Sequence, residues 1–419
     1  MQGMRIVGGT PLNGTVKISG AKNLALPALV ATLLTDAKIT FSNVPNLSDV
    51  NCILSLLESL GSKYENDTKG TITISTPTIL SHIAPYDIVR KMRASILVLG
   101  PLLARNHAAK VSLPGGCAIG ARGVEMHLEA LKLMGVDIAL NDGYIDASAK
   151  KGLFGANIKL PFPTVTGTEN VLMAATLAKG KTRIQNAAKE PEISALIDLL
   201  TLMGAKIEGK GTSEIIVNGV DSLRGTCFEI MSDRIEAGTY AIAAAITKGK
   251  LFLEGARYCD LKIFLDTLQN SGLTVLENEN GITIAGRDSI KPCSISTGPY
   301  PGFPTDLQAQ YTSLMTVANG TSTITENIFE NRFMHIPELL RLGANISIHG
   351  NTATVNGVKS LKGAQVMATD LRASVSLVLA GLAAQGTTIV NRLYHLDRGY
   401  EALETKLKLC GANIERFNI

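Results

Sequence analysis

The sequence contains no tryptophan, and aromatic residues make up only 5% of its 419 positions. Long runs of lysine and arginine are also absent, since the formal charge of +4 arises from 40 basic and 36 acidic residues spread along the chain. A nucleic-acid-binding tail and a polybasic membrane anchor are therefore not expected. The most apolar stretches, near 94–104 and 373–384, are too short to span a bilayer.

The cysteines form neither a redox pair nor a metal-binding motif. None of the six lies in a Cys-X-X-Cys pattern or at the Cys/His spacing of a zinc site; they are Cys52, Cys117, Cys227, Cys259, Cys293 and Cys410. The first residues lack the long apolar core of a signal peptide. We therefore expect a reduced, soluble protein of the cytoplasm.

Length and composition indicate a globular protein with more than one domain. Hydrophobic residues make up 45% of the chain and charged residues 18%, which is typical of folded domains. The length exceeds that of one ordinary core, so about two domains of about 200 residues each are expected. The 40 glycines indicate many tight turns.

An internal repeat is the main feature that the chain does possess. A helix that ends in glycine recurs six times at intervals of 68 to 74 residues, at Gly61, Gly135, Gly204, Gly272, Gly343 and Gly411. Glycine at this position is typical of a helix C-cap. Alternating segments follow each glycine, as in 345–348 and 353–355, and predict a strand pair. Each copy is therefore predicted to be a βαβαββ unit in an α/β protein.

Three copies per domain place a boundary near residue 231. The segments 6–8, 12–14 and 16–18 resemble 216–219, 223–225 and 228–230. We therefore expect the N-terminal segment to complete the second domain. The predicted domains are 22–231, which carries a cysteine loop, and 1–21 plus 232–419.

The six repeats also place charge at equivalent helix starts. Small-residue helices are predicted to begin at 22–23, 93, 168–170, 234–236, 305–306 and 370–372. Cations at four of these starts are unfavourable beside the positive end of the helix dipole; they are Lys22, Arg93, Arg234 and Arg372. An anionic ligand would offset this charge. Alternatively, ordinary helix caps would explain Thr305, Asp306, Thr369 and Asp370.

Residues 113–122 form a glycine-rich segment with Cys117 and Arg122. A nearby guanidinium favours the reactive thiolate, whereas the alternative is a buried, inert cysteine in a tight turn. The loops that follow the same repeat strand also contain Arg332 and Arg398. Together these residues predict a two-domain clamp for a ligand with several negative charges, although they do not identify the ligand.

Seven segments resemble the UDP-N-acetylglucosamine 1-carboxyvinyltransferases, a family of enolpyruvyl transferases. They are 19–23, 92–95, 113–122, 303–310, 330–335, 369–374 and 397–401. The resemblance implies two inside-out α/β barrels of threefold pseudosymmetry, with the active site in the cleft between the domains. It also implies transfer of the enolpyruvyl group of phosphoenolpyruvate to the 3'-hydroxyl of UDP-N-acetylglucosamine by addition and elimination. This is the first committed step of bacterial peptidoglycan synthesis.

The resemblance further implies a role for each candidate residue. Lys22, Arg122 and Arg398 hold phosphoenolpyruvate, and Cys117 protonates its vinyl carbon. Asp306 is the base for the sugar hydroxyl, and Asp370 assists proton movement. The implied substrate-binding residues are Asn23, Arg93, Arg122, Gly123, Val124, Glu125, Met126, Thr164, Thr305, Ile328, Arg332 and Arg372. Glu190 and Arg234 are expected to line the same cleft.

The resemblance implies no metal and no organic cofactor, no nucleic-acid or membrane partner, and a monomer or a weak homo-oligomer. The sequence departs from the family at Gly123, where proline is usual, at Glu125, where aspartate is common, and over 161–168. These positions are associated with the nucleotide. Alternative functions are transfer to another acceptor such as shikimate 3-phosphate, or a non-catalytic repeat scaffold that binds acidic partners or RNA through its arginines.

Overall fold

The structure, a computed structural model, describes residues 2–67, 70–113, 120 and 123–418. The chain divides into two compact units. The central unit contains the described residues of 20–117 and 122–231, and the terminal unit contains those of 1–19, 118–121 and 232–419. Gly20 and Ala21 belong to the central unit, where Ala21 is buried and donates a backbone hydrogen bond to the carbonyl of Met231.

Each unit contains three four-stranded sheets in the described part of the chain, and all six sheets have one topology. An edge strand pairs in parallel with the second strand, and the third and fourth strands continue in antiparallel pairing. In the central unit the sheets, in spatial order, are Cys227–Glu229, Ile39–Ser42, Ile72–Ser75, Lys63–Asn66; Ile83–Ala84, Ala108–Ser112, Tyr144–Ser148, Asp137–Asn141; and Asn157–Lys159, Lys181–Gln185, Glu214–Asn218, Lys206–Glu208. In the terminal unit they are Asn13–Lys17, Lys250–Glu254, Gly281–Ala285, Thr274–Asn278; Ile295–Ser296, Thr321–Thr325, Thr352–Asn356, Asn345–His349; and Gln365–Met367, Thr387–Asn391, Gln2–Val7, Asn413–Asn418.

Two sets of helices accompany these sheets. The first set is buried and rich in small or apolar residues, and comprises Lys22–Ala31, Leu99–Asn106, Val165–Ala175, Arg234–Ile246, Gln308–Met315 and Leu371–Ala383. The second set exposes one face, and comprises Ser48–Leu60, Glu125–Leu133, Pro191–Leu202, Lys262–Asn270, Ile336–Arg341 and Leu403–Leu409. One further short helix is Tyr86–Val89, and the 3-10 segments are Thr32–Leu34, Arg93–Val98, Tyr258–Leu261, Thr305–Leu307 and Leu393–Arg398.

The buried helices explain the small-residue composition. All residues of Arg234–Ile246 are buried, including the run Ala243–Ala245. Alanine in such a helix allows neighbouring helices and strands to approach closely. Each unit therefore has its own core, with the first set of helices inside it. The predicted α/β class and the βαβαββ repeat are confirmed.

The repeat glycines have the backbone conformation that a helix C-cap requires. All six lie in the left-handed region, with φ between 85° and 113°: Gly61, Gly135, Gly204, Gly272, Gly343 and Gly411. Residues with a Cβ seldom adopt these angles. The glycine repeat therefore marks the ends of six helices, as the sequence predicts.

Some predicted element boundaries differ from the observed ones. The helix expected at 168–170 begins at Val165, because the Thr164 hydroxyl accepts a hydrogen bond from the Gly167 amide and caps it. The N-terminal strands Gln2–Val7 and Asn13–Lys17 pair within the terminal unit. No helix in the described ranges has the length and apolarity needed to cross a bilayer.

Candidate functional site

In the central unit, Lys22 is the first residue of its helix and lies close to a carboxylate. Its Nζ atom is 3.2 Å from Oδ2 of Asp49, and both side chains are largely buried. No side chain caps this helix, so its first amides and the lysine together form a positive end. Part of the anionic compensation expected for Lys22 therefore comes from Asp49. The neighbouring Asn23 is half-buried.

A second group of candidates in the central unit is joined by Arg93. This residue begins a 3-10 segment, and its Nη2 atom donates a hydrogen bond of 3.0 Å to the carbonyl of Gly123. Val124 is buried, whereas Glu125, the first residue of the next helix, is exposed. Met126 is half-buried. The structure thus brings Arg93 to the segment 123–126.

His127 follows this segment directly and was missed by the sequence analysis. It is buried, with Nδ1 3.0 Å from Nδ2 of Asn170 and Nε2 3.4 Å from the Thr166 hydroxyl. The Asn170 amide is a donor, so Nδ1 accepts and Nε2 carries the proton. Burial, with a contribution from the Arg93 charge, lowers the pKa of His127 to about 4. A neutral imidazole therefore connects segment 123–126 with the helix that Thr164 caps.

Three glutamates form another cluster in the central unit. Glu169 is buried, and its Oε1 atom has no hydrogen-bond partner in the described residues. Burial raises the pKa of Glu169 well above its usual value, and the nearby charges of Glu192 and Glu190 raise it further. Glu190 immediately precedes the helix Pro191–Leu202. Within the described ranges, no three His, Cys, Asp or Glu side chains are arranged to hold a metal ion.

In the terminal unit, three predicted site residues from three elements converge. Oδ1 of Asp306 is 2.6 Å from Nη2 of Arg332, and Oδ2 is 2.9 Å from Nη2 of Arg372. Both arginine side chains are almost completely buried, whereas 26% of the Asp306 side chain is exposed. Together the three groups carry one net positive charge. The nearby carboxylates of Glu326 and Asp233 offset this charge. What the cluster offers an anionic ligand is therefore a set of guanidinium donors.

The electrostatics of Arg372 depend on this pairing. Burial alone would lower its pKa, but the carboxylate of Asp306 and the hydroxyl of Tyr400 raise it above the usual value. The Tyr400 hydroxyl lies 3.1 Å from Nη1 of Arg372 and 3.2 Å from Nε2 of Gln310. It is also 2.9 Å from the Thr239 hydroxyl. Tyr400 thus fixes the guanidinium opposite Asp306, a role that the sequence analysis missed.

Asp306 and Asp370 were both possible helix caps, but only Asp370 has this role in the structure. Oδ1 of Asp370 accepts hydrogen bonds from the amides of Arg372, at 2.8 Å, and Ala373, at 3.0 Å. Asp370 is therefore a cap, while Asp306 forms ion pairs instead. Asp370 also lies within electrostatic reach of His335, whose pKa is lowered to about 4 mainly by burial.

Arg398 ends the 3-10 segment Leu393–Arg398 and is half-buried. Burial lowers the pKa of His395, and the Arg398 charge lowers it further. Arg234 is the first residue of a fully buried helix capped by Asp233, and its guanidinium lies 5.8 Å from the ring centre of Tyr300. Cys117 and Arg122 lie outside the described residues.

Thr305 and Ile328 are both held by a glutamate that the sequence analysis did not identify. The Thr305 hydroxyl and the Ile328 amide each donate a hydrogen bond of 2.8 Å to Glu326. No sequence pattern singled out Glu326, which directly follows the strand Thr321–Thr325, because its partners at Thr305 and Thr297 are 21 and 29 residues away.

Comparison with known proteins connects this arrangement to a family. The chain matches, over residues 6–407, the family described as EPSP synthase (3-phosphoshikimate 1-carboxyvinyltransferase). It belongs to this carboxyvinyltransferase family. The match covers both units, and it includes Asp306, Arg332 and Arg372.

Relatives within the family are similar over their full length. A protein of Acidiphilium cryptum named UDP-N-acetylglucosamine 1-carboxyvinyltransferase is 56% identical, with 99% of both chains covered. Proteins with the same name from Granulibacter bethesdensis and Brucella ovis are 55% and 54% identical, with 100% of both chains covered in each case.

Solved structures show the same fold. The enolpyruvyl transferase NikO from Streptomyces tendae is 25% identical and superposes with a TM-score of 0.91, covering 100% of this chain and 99% of that one. EPSP synthase from Acinetobacter baumannii is 18% identical, with a TM-score of 0.79 and 100% of both chains covered. The latter similarity shows the fold alone.

Proposed function

We propose that this enzyme transfers the enolpyruvyl group of phosphoenolpyruvate to the 3'-hydroxyl of UDP-N-acetylglucosamine and releases phosphate. The observation that carries the proposal is the full-length identity of 54–56% to relatives that bear the name of this reaction. The family description by itself would suggest 3-phosphoshikimate as the acceptor. The relatives' names favour the nucleotide sugar.

The paired arginines of the terminal unit support an anionic substrate. Phosphoenolpyruvate has a phosphate and a carboxylate, both of which match the planar donor set of arginine. The Nε atom of Arg332 is buried and has no hydrogen-bond partner in the described residues. An unsatisfied buried N–H group is costly, so a rearrangement on binding that brings an oxygen of the substrate to it would be stabilising. Arg372, Arg398, Lys22 and Arg122 would provide the remaining positive charge.

The residues of the central unit are proposed to bind the nucleotide sugar. Arg93 donates a hydrogen bond to the Gly123 carbonyl, and His127, directly after segment 123–126, contacts Thr166 in the helix that Thr164 caps. Asn23 is proposed to contact the same substrate beside Lys22. The departures at Gly123 and Glu125 are in this group, so nucleotide contacts are where this chain is expected to differ most from its relatives.

The proposed chemistry is an addition followed by an elimination. The 3'-oxygen attacks C2 of phosphoenolpyruvate while Asp306 takes the hydroxyl proton and Cys117 gives a proton to C3. A tetrahedral ketal results. In the second step C3 loses a proton, the double bond reforms and the bond from C2 to the phosphate oxygen breaks, with Asp370 assisting proton movement. Each oxygen of Asp306 contacts one arginine, and a carboxylate oxygen has a second lone pair that can accept the hydroxyl proton.

The decisive assay measures phosphate released from phosphoenolpyruvate. We expect release only when UDP-N-acetylglucosamine is present. Release with shikimate 3-phosphate in its place would overturn the acceptor assignment, and anion binding without turnover would support the scaffold alternative. Turnover without added metal or cofactor is expected.

The role of Cys117 can be tested separately. A thiolate that opens the epoxide of fosfomycin forms a C–S bond and breaks a C–O bond, and we expect this adduct on Cys117 before the other five cysteines. Cys117→Ala should reduce kcat by about 10² to 10⁴, whereas Cys117→Asp should retain turnover because a carboxylic acid can also deliver a proton. Inactivation by fosfomycin with unmodified Cys117 would contradict this role.

The proposed reaction has a place in the cell. We infer that it supplies bacterial peptidoglycan synthesis in the cytoplasm, and therefore contributes to cell-wall formation, cell shape and division. The enzyme is proposed to act as a monomer or a weak homo-oligomer, without nucleic-acid or membrane partners.

A further inference from the structure

Glu326 is a buried carboxylate to which four donors direct hydrogen bonds. Its Oε1 atom accepts from the Thr297 hydroxyl at 2.9 Å, the Ile328 amide at 2.8 Å and the Phe329 amide at 3.2 Å. Its Oε2 atom accepts from the Thr305 hydroxyl at 2.8 Å. Only 3% of the residue is exposed.

These donors come from separate parts of the terminal unit. Thr297 follows the edge strand Ile295–Ser296, and its amide bonds to the carbonyl of Thr325, the last residue of the neighbouring strand. Thr305 begins a 3-10 segment, and residues 328–329 belong to the turn after Glu326. One side chain therefore fixes the ends of two parallel strands and two loops. Because one buried carboxylate accepts all of these bonds, its removal must release several of them together.

The bond to Thr305 also sets the polarity of this hydroxyl. A hydroxyl has one proton and two lone pairs. The proton is donated to Glu326, and one lone pair accepts from Nη1 of Arg332 at 3.2 Å. What remains for a ligand is a lone pair. Thr305 in this state can accept a hydrogen bond from a ligand hydroxyl or amide N–H, but it cannot donate one to a phosphate or carboxylate.

We propose that Glu326 is a positioning residue that presents Thr305 and Ile328 to the acceptor sugar and makes Thr305 a hydrogen-bond acceptor. This inference rests on the proposed function and on the substrate-binding roles that the family resemblance implies for Thr305 and Ile328, which are assigned here to UDP-N-acetylglucosamine. The sugar part of that substrate supplies hydroxyl and acetamido N–H donors, whereas phosphoenolpyruvate at neutral pH supplies acceptors. Glu326 thus discriminates between the two substrates through one hydroxyl proton.

The substitution Glu326→Gln tests whether Glu326 makes the Thr305 hydroxyl an acceptor, because glutamine has nearly the same shape as glutamate. The glutamine oxygen is expected to remain opposite the Ile328 and Phe329 amides, so its NH2 group faces Thr305. Thr305 then receives two donors, and its own proton points toward the ligand. We expect the KM for UDP-N-acetylglucosamine to rise about tenfold, the effect of losing roughly one hydrogen bond, with the KM for phosphoenolpyruvate changed less than twofold.

Matched variants separate positioning from general damage. Thr305→Val removes the hydroxyl and should raise the KM for the sugar nucleotide. The double variant Glu326→Gln/Thr305→Val should be no worse than the worse single variant, because both act through the same hydroxyl. Asp266→Asn is the control, since Asp266 also accepts a hydroxyl bond in this unit, from Tyr258, but is outside the candidate site.

Two readouts distinguish failure of this inference from failure of the proposed function. Absence of wild-type turnover with the two substrates would refute the function. With an active wild type, equal rises in both KM values, or no rise, in Glu326→Gln would refute the inference. Hydrogen exchange needs no turnover: Glu326→Ala should accelerate exchange of the Ile328 and Phe329 amides, and Glu326→Gln should not. Unchanged exchange in Glu326→Ala would also refute the positioning role.

Discussion

In the terminal unit Arg332 and Arg372 are buried as ions against Asp306, whereas in the central unit burial favours the neutral forms of Glu169 and His127. Both arrangements avoid an isolated buried charge, whose cost in a protein interior is high. The two arrangements differ in the groups that they offer to a ligand. The paired ions keep guanidinium donors that can bind an anion, while the neutral groups provide fixed donors and acceptors.

The largest effect in this comparison is expected from Asp306→Ala. The substitution leaves two buried guanidinium groups without their carboxylate, and should lower the free energy of unfolding by about 3 kcal/mol. Turnover should fall by about 10² or more with the loss of the base. Urea unfolding and phosphate release measure the two effects.

The control for this substitution is Asp198→Ala, which removes one half of the pair with Lys210. Both of those side chains are about half exposed, and pairs of this kind contribute little. An equal loss of stability in the two variants would show that the Asp306 cluster behaves like a surface ion pair.

His127 provides a pH test of the neutral arrangement. Its pKa is lowered mainly by burial to about 4 in the folded protein, against about 6.5 in an unfolded chain. The unfolded state therefore binds more protons than the folded state between these pH values. The contribution of neutral His127 to the free energy of unfolding is complete above pH 6.5 and is lost as the pH falls toward 4. Titration of His127 should therefore lower the free energy of unfolding of the wild type by about 2 kcal/mol from pH 7.5 to pH 5.

The matched variant is His127→Gln, which retains hydrogen-bonding groups but does not titrate. Urea unfolding at the two pH values should show a smaller decrease for this variant than for the wild type. Equal decreases would mean that His127 is not held neutral, and that other groups, such as the buried His335, account for the pH dependence.

Glu236 in the terminal unit should give a pH dependence of opposite sign. Its carboxylate contacts Nζ of Lys406 at 2.7 Å and the Ser19 amide at 2.6 Å. Burial, opposed by the Lys406 charge, still raises its pKa to about 7. Its favourable contribution is therefore complete below about pH 4.5 and decreases as the pH rises to about 7.

Through this group, the free energy of unfolding should fall by on the order of 2 kcal/mol between pH 5 and pH 8. The decrease should be smaller in Glu236→Gln, measured by urea unfolding at the two pH values. A variant with the same or a steeper decrease would show that Lys406 keeps Glu236 ionised throughout, and that this pair resembles the Asp306 cluster.

The sequence revealed the repeat because the determinants of the repeat are local. A glycine at a helix end and alternation in a strand depend on the backbone and on near neighbours. The contacts within the site were harder to predict from the sequence. Asp306 meets arginines that are 26 and 66 residues away, so its ion pairs cannot be deduced from spacing. The neutral states of Glu169 and His127 depend on desolvation by distant parts of the chain. The residues next to them in the sequence do not indicate this desolvation.

The smallest predicted effects compare equivalent glycines in the two units. A Cβ at Gly343, in the terminal unit, would meet no atom within 4 Å, whereas one at Gly61, in the central unit, would lie 2.5 Å from the carbonyl oxygen of Thr78. Both residues have φ in the left-handed region. Gly343→Ala should therefore lower the free energy of unfolding by about 1 kcal/mol through backbone strain alone. Gly61→Ala should cost more, because backbone atoms must also shift. Equal losses in urea unfolding would show that the crowding around Gly61 relaxes freely, and that the two units tolerate a substituted helix cap equally.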